Sequence, residues 1–282
     1  MPATAEAPTI TVYAAAHMSL EAPESRSRAA DWSAYLGALA VPLLIIAAIG
    51  RRAGLIDTPG TFAVMAIGFL SAALAVIAAL AAFVAIWLSG ARGAGAALRG
   101  LVLGLVVLAL PTYGAWKVVT EPRLNDISTD LANPPPLDRA ATDRGASDAP
   151  IVAPTAIDAN LQHQAYPDIV PRHYPVSTER VFTEAKAIVD RRGWRVLVAK
   201  EPDDKDPSGV IEAVAQTLVF GFRQDVAIRM VEDGDGTRVD MRSAARTAAH
   251  DLGSDADRVR AFFDDLDGAL EGVSGSGQGD SG

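Results

Sequence analysis

The stretch Val226-Ala-Ile-Arg-Met-Val-Glu-Asp-Gly-Asp-Gly-Thr-Arg-Val-Asp-Met-Arg-Ser243 reads as two strands around a tight turn. Val226, Ile228 and Met230 before the turn, and Val239 and Met241 after it, alternate with Ala227, Arg229, Asp240 and Arg242. A period of two is the mark of a strand with one apolar and one polar face. Asp233-Gly-Asp-Gly236 supplies residues that tolerate the reversal. Tight closure there sets Arg229 opposite Asp240 and Ala227 opposite Arg242, with Asp225 diagonal to Arg242 on the same face. The apolar face is expected to pack on helices, and the other to form a solvated ladder of alternating charge. Cross-strand pairs in such a ladder contribute about a few tenths of a kcal/mol each.

Working outward, Trp194–Lys200 and Val210–Thr217 read as two more strands, separated by turn signals at 202–209 and at Gly221. Ahead of them, Val181, Phe182, Ala185, Ile188 and Val189 recur at helical spacing, with Ser177 placed to cap and Gly193 to terminate. Behind them, Ser254-Asp-Ala-Asp257 has the form of a capping box opening a helix whose face carries Val259, Phe262, Phe263, Leu266 and Leu270. Residues 177–271 are thus predicted to form an α+β domain: a two-layer arrangement of about four antiparallel strands with helices on one face.

The N-terminal half has a different character. Half of all residues are apolar, and they concentrate in Trp32–Gly50, Thr61–Gly90 and Gly100–Trp116. Between Trp32 and Trp116 the ionisable side chains are Tyr35, Arg51, Arg52, Asp57, Arg92, Arg99 and Tyr113, none in the middle of a run. A spanning helix needs about 20 apolar residues, so 32–120 is predicted as a membrane region of three helices. Small residues such as Gly68, Ser71, Ala72, Ala75 and Ala79 suit close helix packing. Without an intramembrane charge the helices read as an anchor rather than a transport path. Residues 1–31 read as a disordered leader within which Met18 is an alternative start, 121–176 as a linker with nine prolines, and 272–282 as a disordered Gly/Ser tail. Basic residues flanking the helices divide four against four, Arg26, Arg28, Arg92 and Arg99 facing Arg51, Arg52, Lys117 and Arg123, so charge does not orient the chain.

Residues 121–282 hold 29 acids and 18 bases, a net charge of −11, which argues against nucleic acid as a partner. Absence of cysteine removes disulfides and thiolate chemistry. The histidines lack zinc-site spacing, the Asp-rich turns lack a calcium-loop pattern, and no phosphate-cradling loop or nucleophile elbow occurs, so neither metal nor cofactor is expected.

Several separated motifs resemble one family. Asn125-Asp-Ile-Ser-Thr-Asp-Leu-Ala-Asn-Pro-Pro135, Tyr166-Pro167, Phe222-Arg-Gln-Asp-Val-Ala-Ile-Arg229, Val239-Asp-Met-Arg-Ser-Ala-Ala-Arg246 and Asp251-Leu-Gly253 are similar to the bacterial and plastid domain of unknown function 1499. That family combines the domain with membrane helices, a lipid anchor or a transit peptide, and no reaction comes with it. The resemblance marks Asn125, Asp126, Ser128, Thr129 and Asp130 in the linker, and Asp225, Arg229, Asp240, Arg242, Ser243, Arg246 and Asp251 in the domain. Gln224, Ala245 and Ala248 depart from the family pattern, where an acid, a serine and a glycine are usual. The linker motif is expected to strap across the charged face.

These readings converge on a membrane-tethered binding or accessory module in an inner membrane. Its Arg/Asp face would engage an anionic small molecule, a lipid headgroup or a membrane-protein partner, and its C-terminal domain would lie on the exported side, by analogy with the family's lumenal settings. A hydrolase using Asp225 or Asp240 with arginine stabilisation, and a structural organiser of neighbouring membrane proteins, are the competing classes.

Overall fold

The computed structural model describes residues 26–247 and 250–274. The leader as far as residue 25, with Met18, and the tail from 275, together with Ala248, lie outside the described residues. Three long helices open the chain: α1 (Arg28–Arg52), α2 (Thr58–Ser89) and α3 (Ala94–Thr120), each long and apolar enough to cross a membrane. Ser27 caps α1 and Asp57 caps α2 through side-chain oxygens that accept from Ala30 and Gly60 N–H groups. Pro42 and Pro111 sit within continuous helices, so the apolar runs underestimate the helix ends. α1 takes in Arg28–Asp31, which composition alone had placed in the leader.

The bundle is small inside and large outside. Ala40, Ala72, Ala75, Ala79, Ala82 and Ala97 are fully buried, while Ile45, Ile49, Leu70, Ile77 and Val84 are exposed. Ser71 Oγ donates to the Leu36 carbonyl at 2.9 Å across the α1–α2 contact. Gly100 lies so close to α1 that a Cβ there would stand 1.9 Å from Ser33 Oγ.

The C-terminal part is an antiparallel sheet of six strands rather than four. Its strands are β1 (Asp126–Ser128), β2 (Arg172–Tyr174), β3 (Arg195–Lys200), β4 (Gly209–Gln216), β5 (Arg223–Asp233) and β6 (Gly236–Ala245), in the order β1-β6-β5-β4-β3 with β2 also on β6. The hairpin register is Arg229 opposite Asp240 and Ala227 opposite Arg242. The two extra strands come from the proline-rich segment, whose backbone donors and acceptors find partners on β6. Their composition gives no strand signal because each is only three residues long. That segment also holds the helices α4 (Asp138–Asp143) and α5 (Ala156–Ala165), so it is structured.

Two helices, α6 (Thr178–Arg191) and α7 (Ser254–Ser274), cover one face of the sheet. Val181, Phe182, Ile188, Phe262, Phe263 and Leu266 meet Ile211, Val226, Ile228, Met230, Val239 and Met241 in a single core. The opening of α7 differs from the expected capping box. Asp251, not Ser254, accepts from the Gly253 and Asp255 N–H groups, while Ser254 Oγ accepts from Gln224. α7 also runs through 272–274, three residues into the expected tail.

Bundle and domain touch at one end. Arg52, closing α1, donates to the carbonyls of Thr217 and Val219 at 3.1 and 3.2 Å and also to that of Leu218. Phe62 of α2 stacks on Phe222 with ring centroids 5.3 Å apart. Below α3, Glu121 accepts from Lys117 and from the Tyr166 hydroxyl.

Gly100→Ala is expected to push α1 and α3 apart and destabilise the bundle by roughly 1–3 kcal/mol, the range for overpacking. Gly114→Ala, where a Cβ meets open space, serves as the control. Thermal unfolding of both variants in detergent measures the difference, and equal melting temperatures would refute the close contact.

Candidate functional site

Strand alternation places Asp225, Ala227 and Arg229 of β5, and Asp240, Arg242 and Ala244 of β6, on the sheet face away from α6 and α7. Arg246 continues that row past the end of β6. This face is not solvated. Asp225, Asp240, Arg242 and Arg246 are all buried, because residues 126–149 cross over them as a strap. Burying a guanidinium without a counter-charge is prohibitive, so each must find a carboxylate.

The strap supplies them. Asp126 accepts two parallel bonds from Arg242, Nε at 2.9 Å and Nη2 at 2.6 Å, a bidentate fork whose third contact is Nη1 to the Pro135 carbonyl. Asn125 accepts from the Ala245 N–H at 2.8 Å. Thr129 pairs twice with Met241, by its own N–H and by its hydroxyl accepting the Met241 N–H. Ser128 is clamped by the Gln162 side-chain amide, which both accepts and donates. Asp130 accepts Ala132 and Asn133 N–H groups on one oxygen, and Arg229 and Arg238 on the other. Burial opposes the Asp130 charge, yet the Asn133 N–H and Arg238 outweigh it and hold the pKa below the usual carboxylate range.

A second knot lies around Arg246. Its Nε and Nη2 donate to Asp225 Oδ1 at 2.8 and 2.6 Å, and Nη2 also reaches Asp143 at 2.8 Å. The other Asp225 oxygen accepts from Arg144 at 2.7 Å. Asp143 is held below the usual range first by Arg195 and then by Arg246. Next to it Glu212 accepts the Arg139 and Ala140 N–H groups that open α4, and burial raises its pKa.

The sheet separates Ser243 and Asp251 from this set. Ser243 points toward α7 and donates to Asp255 at 2.6 Å, and Arg258 reaches both. Asp255 is fully buried, and desolvation followed by the nearby Asp251 charge pushes its pKa well above the ordinary 3.8. Its Oδ2 finds no donor among the described residues. A neutral Asp255 resolves that, since the protonated oxygen becomes a donor toward Asp251. Gln224 bridges Ser254 and Arg258.

The structure therefore joins Asn125, Asp126, Ser128, Thr129, Asp130, Asp225, Arg229, Asp240, Arg242 and Arg246 on one side, and Ser243 and Asp251 on the other. Sequence reasoning missed Arg238, Glu212, Arg144, Asp143, Asp148, Asp255 and Arg258. Arg238 and Glu212 carried a signal, being charged residues in step with the polar rows of β6 and β4. For Arg144, Asp143 and Asp148 no local pattern exists, because only the fold of the strap brings them to Arg246.

Beside Asn133, where the strap turns back, the charged row opens into a cleft of roughly 380 Å³ lined by Asn133, Arg229, Glu232, Asp233, Arg238 and Asp240. Arg238, with its side chain 38% exposed, makes both its ion pairs through Nη2, to Asp130 at 2.7 Å and Asp240 at 3.1 Å.

An antiparallel sheet with helices on one face, an ion-paired strap on the other and an apolar three-helix bundle ahead of it defines a class of protein: an α+β domain carried on helices able to cross a membrane. The model of the family described as Protein of unknown function (DUF1499) matches residues 126–266, half of the chain, and the chain belongs to that family. The match begins at β1, so the strap is part of the family domain and not a spacer before it. No curated protein matches the chain.

Two expectations follow. Asp126→Ala, which strands the Arg242 guanidinium under the strap, should cost about 3–5 kcal/mol, whereas Asp168→Ala, which breaks an exposed pair with Arg260, should cost under about 1 kcal/mol. Urea unfolding of the full chain in detergent distinguishes them, and equal costs would mean that the strap pair is not buried in solution. For Asp255 the folded pKa lies above the unfolded one, so its stabilising share is complete below 3.8 and is lost as pH rises through the raised value. Asp255→Asn, which stays neutral, should therefore gain on wild type in melting temperature as pH goes from about 4 to about 8. Parallel pH profiles would show that Asp255 is charged in the fold.

Proposed function

We propose that the chain is a membrane-anchored binding module whose helices cross an inner membrane and whose family domain presents its cleft to the aqueous phase. The observation that carries this reading is the inverted packing of the bundle, with alanine, glycine and serine inside and isoleucine, leucine and valine outside. Water would penalise that arrangement, and lipid favours it. The family's lumenal and lipid-anchored settings support the exported side for the domain.

The cleft, rather than the whole charged face, is the ligand surface. Arg242 and Arg246 are consumed by Asp126, Asp225 and Asp143 beneath the strap, while Arg238 is partly exposed at the cleft. β5 starts beside the bundle contact at Phe222 and carries Arg229 about 20 Å away at the rise of a strand. That distance favours a solute or a partner's aqueous segment over a headgroup of the same bilayer. Glu232 and Asp233 on the rim disfavour highly charged anions, so a singly charged carboxylate or phosphate group fits best. A hydrolase is the weaker reading: Asp225 is sealed under the strap, and Asp240 is tied to Arg229 and Arg238.

Full-length chain should sediment with membranes and be released by detergent but not by alkaline carbonate. Recovery in the carbonate supernatant would sink the anchor. Glu232→Cys, the only thiol in the chain, should react with a membrane-impermeant maleimide on intact cells; labelling only after lysis would reverse the proposed orientation. Acetate or inorganic phosphate should raise the melting temperature of wild type and leave Arg238→Ala unmoved. Identical responses of the two would leave the cleft without a ligand role.

A further inference from the structure

The loop between β4 and β5 is unusual for a domain so rich in charge. Thr217-Leu-Val-Phe-Gly-Phe222 contains no ionisable residue, and its tip exposes Leu218 at 89% and Val219 at 54%. The loop is closely built. The Thr217 N–H donates to the Phe222 carbonyl at 2.9 Å, the Gly221 N–H to the Thr217 carbonyl at 3.1 Å, and the Phe222 N–H to Thr217 Oγ1 at 2.9 Å. Gly221 adopts a positive φ of 64°, and a Cβ there would meet the Arg52 side chain at 2.9 Å.

Its position is set by the bundle. Arg52 holds three consecutive loop carbonyls, those of Thr217, Leu218 and Val219. Phe222 stacks on Phe62, which lies four residues, or about 6 Å, inside α2. The loop therefore reaches past the α1–α2 turn along the side of the helices. Leu55 of that turn is itself 82% exposed, and on α3 Tyr113 and Trp116, rings of the kind that favour the headgroup layer, lie within two turns of the domain end. Arg223 follows the loop and Arg52 precedes the turn, both at least partly exposed, placing cations where anionic headgroups would sit.

We infer that the β4–β5 loop is a membrane-inserting finger, with Leu218 and Val219 dipping into the headgroup–acyl boundary of the leaflet that the helices cross. The inference rests on the reading of those helices as membrane spans. Two adjacent large apolar side chains held outward at the level of the helix ends have no covering partner among the described residues, and lipid is the apolar medium continuous with that surface. Insertion adds a second attachment to the covalent one at Thr120–Glu121. The domain is then fixed by its sheet end and α3 together, and the cleft at the far end of β5 faces away from the bilayer.

The chain has no cysteine, so single-cysteine spin labels read depth directly. Leu218→Cys, Val219→Cys, Ile77→Cys in the middle of α2 and Glu232→Cys at the hairpin are each labelled in full-length protein in phospholipid nanodiscs, and collision rates with oxygen and with a water-soluble nickel chelate are compared. The expected result is an oxygen-to-nickel ratio at 218 and 219 several-fold above that at 232 and approaching that at 77. Ratios at 218 and 219 equal to that at 232, with 77 still in lipid, overturn the finger and leave the anchor standing. A water-like ratio at 77 overturns the anchor, and the finger with it. As a second measure, Leu218→Asp with Val219→Asp should lower the oxygen-to-nickel ratio at a Thr217→Cys label if the finger inserts, and an unchanged ratio there counts against it.

Discussion

A buried guanidinium must be answered by a carboxylate, and on this protein that requirement shapes a whole face of the sheet. Arg242 and Arg246 project from β6 and its extension into a region from which water is excluded, and neither could stay there alone. Asp225 on the neighbouring strand answers Arg246 in part. The rest of the charge balance comes from Asp126, Asp143 and Asp148, all on the strap, so the strap closes over the sheet as a condition of the sheet's polar face being buried. The order of cause runs from two arginines to a segment of proline-rich chain that would otherwise have no reason to be ordered.

The same constraint separates what is structural from what is available. Where carboxylates and guanidiniums saturate one another beneath the strap, the network holds two layers together and has little left to offer a ligand. Where the strap turns back, near Asn133, the row emerges into a cleft and Arg238 is left partly in solvent. A polar surface can thus be mostly architecture and yet leave a charged margin open to solvent. The buried acids on the other side of the sheet follow a different logic: Asp251 caps α7, and Asp255, denied a donor for one oxygen, is driven toward its neutral form.

The bundle and the domain pack by opposite rules within one chain. In the domain, large apolar side chains gather between sheet and helices. In the bundle, small residues take the interior and large ones face out. The two regimes meet at Arg52, Phe62 and the β4–β5 loop, where an arginine satisfies loop carbonyls and aromatic rings pass from one environment into the other.

Much of this was written in local pattern. Helix lengths, the strand period of two, the turn at Asp233–Gly236 and hence the register of Arg229 against Asp240 follow from nearest-neighbour rules that one strand and one turn suffice to apply. The family motif in 125–135 also marked the strap residues. What local pattern could not reveal was whether the charged row faced water, because burial depends on what a distant segment does. Residues 126–149 carry no periodicity; their order comes from contacts to β6 more than ninety positions later. Strands β1 and β2, the partners of Arg246, the split of Ser243 and Asp251 from the other candidates, and the placement of Leu218 beside the helix ends were decided only by tertiary structure. Each is a long-range pairing whose stability belongs to neither participating segment alone.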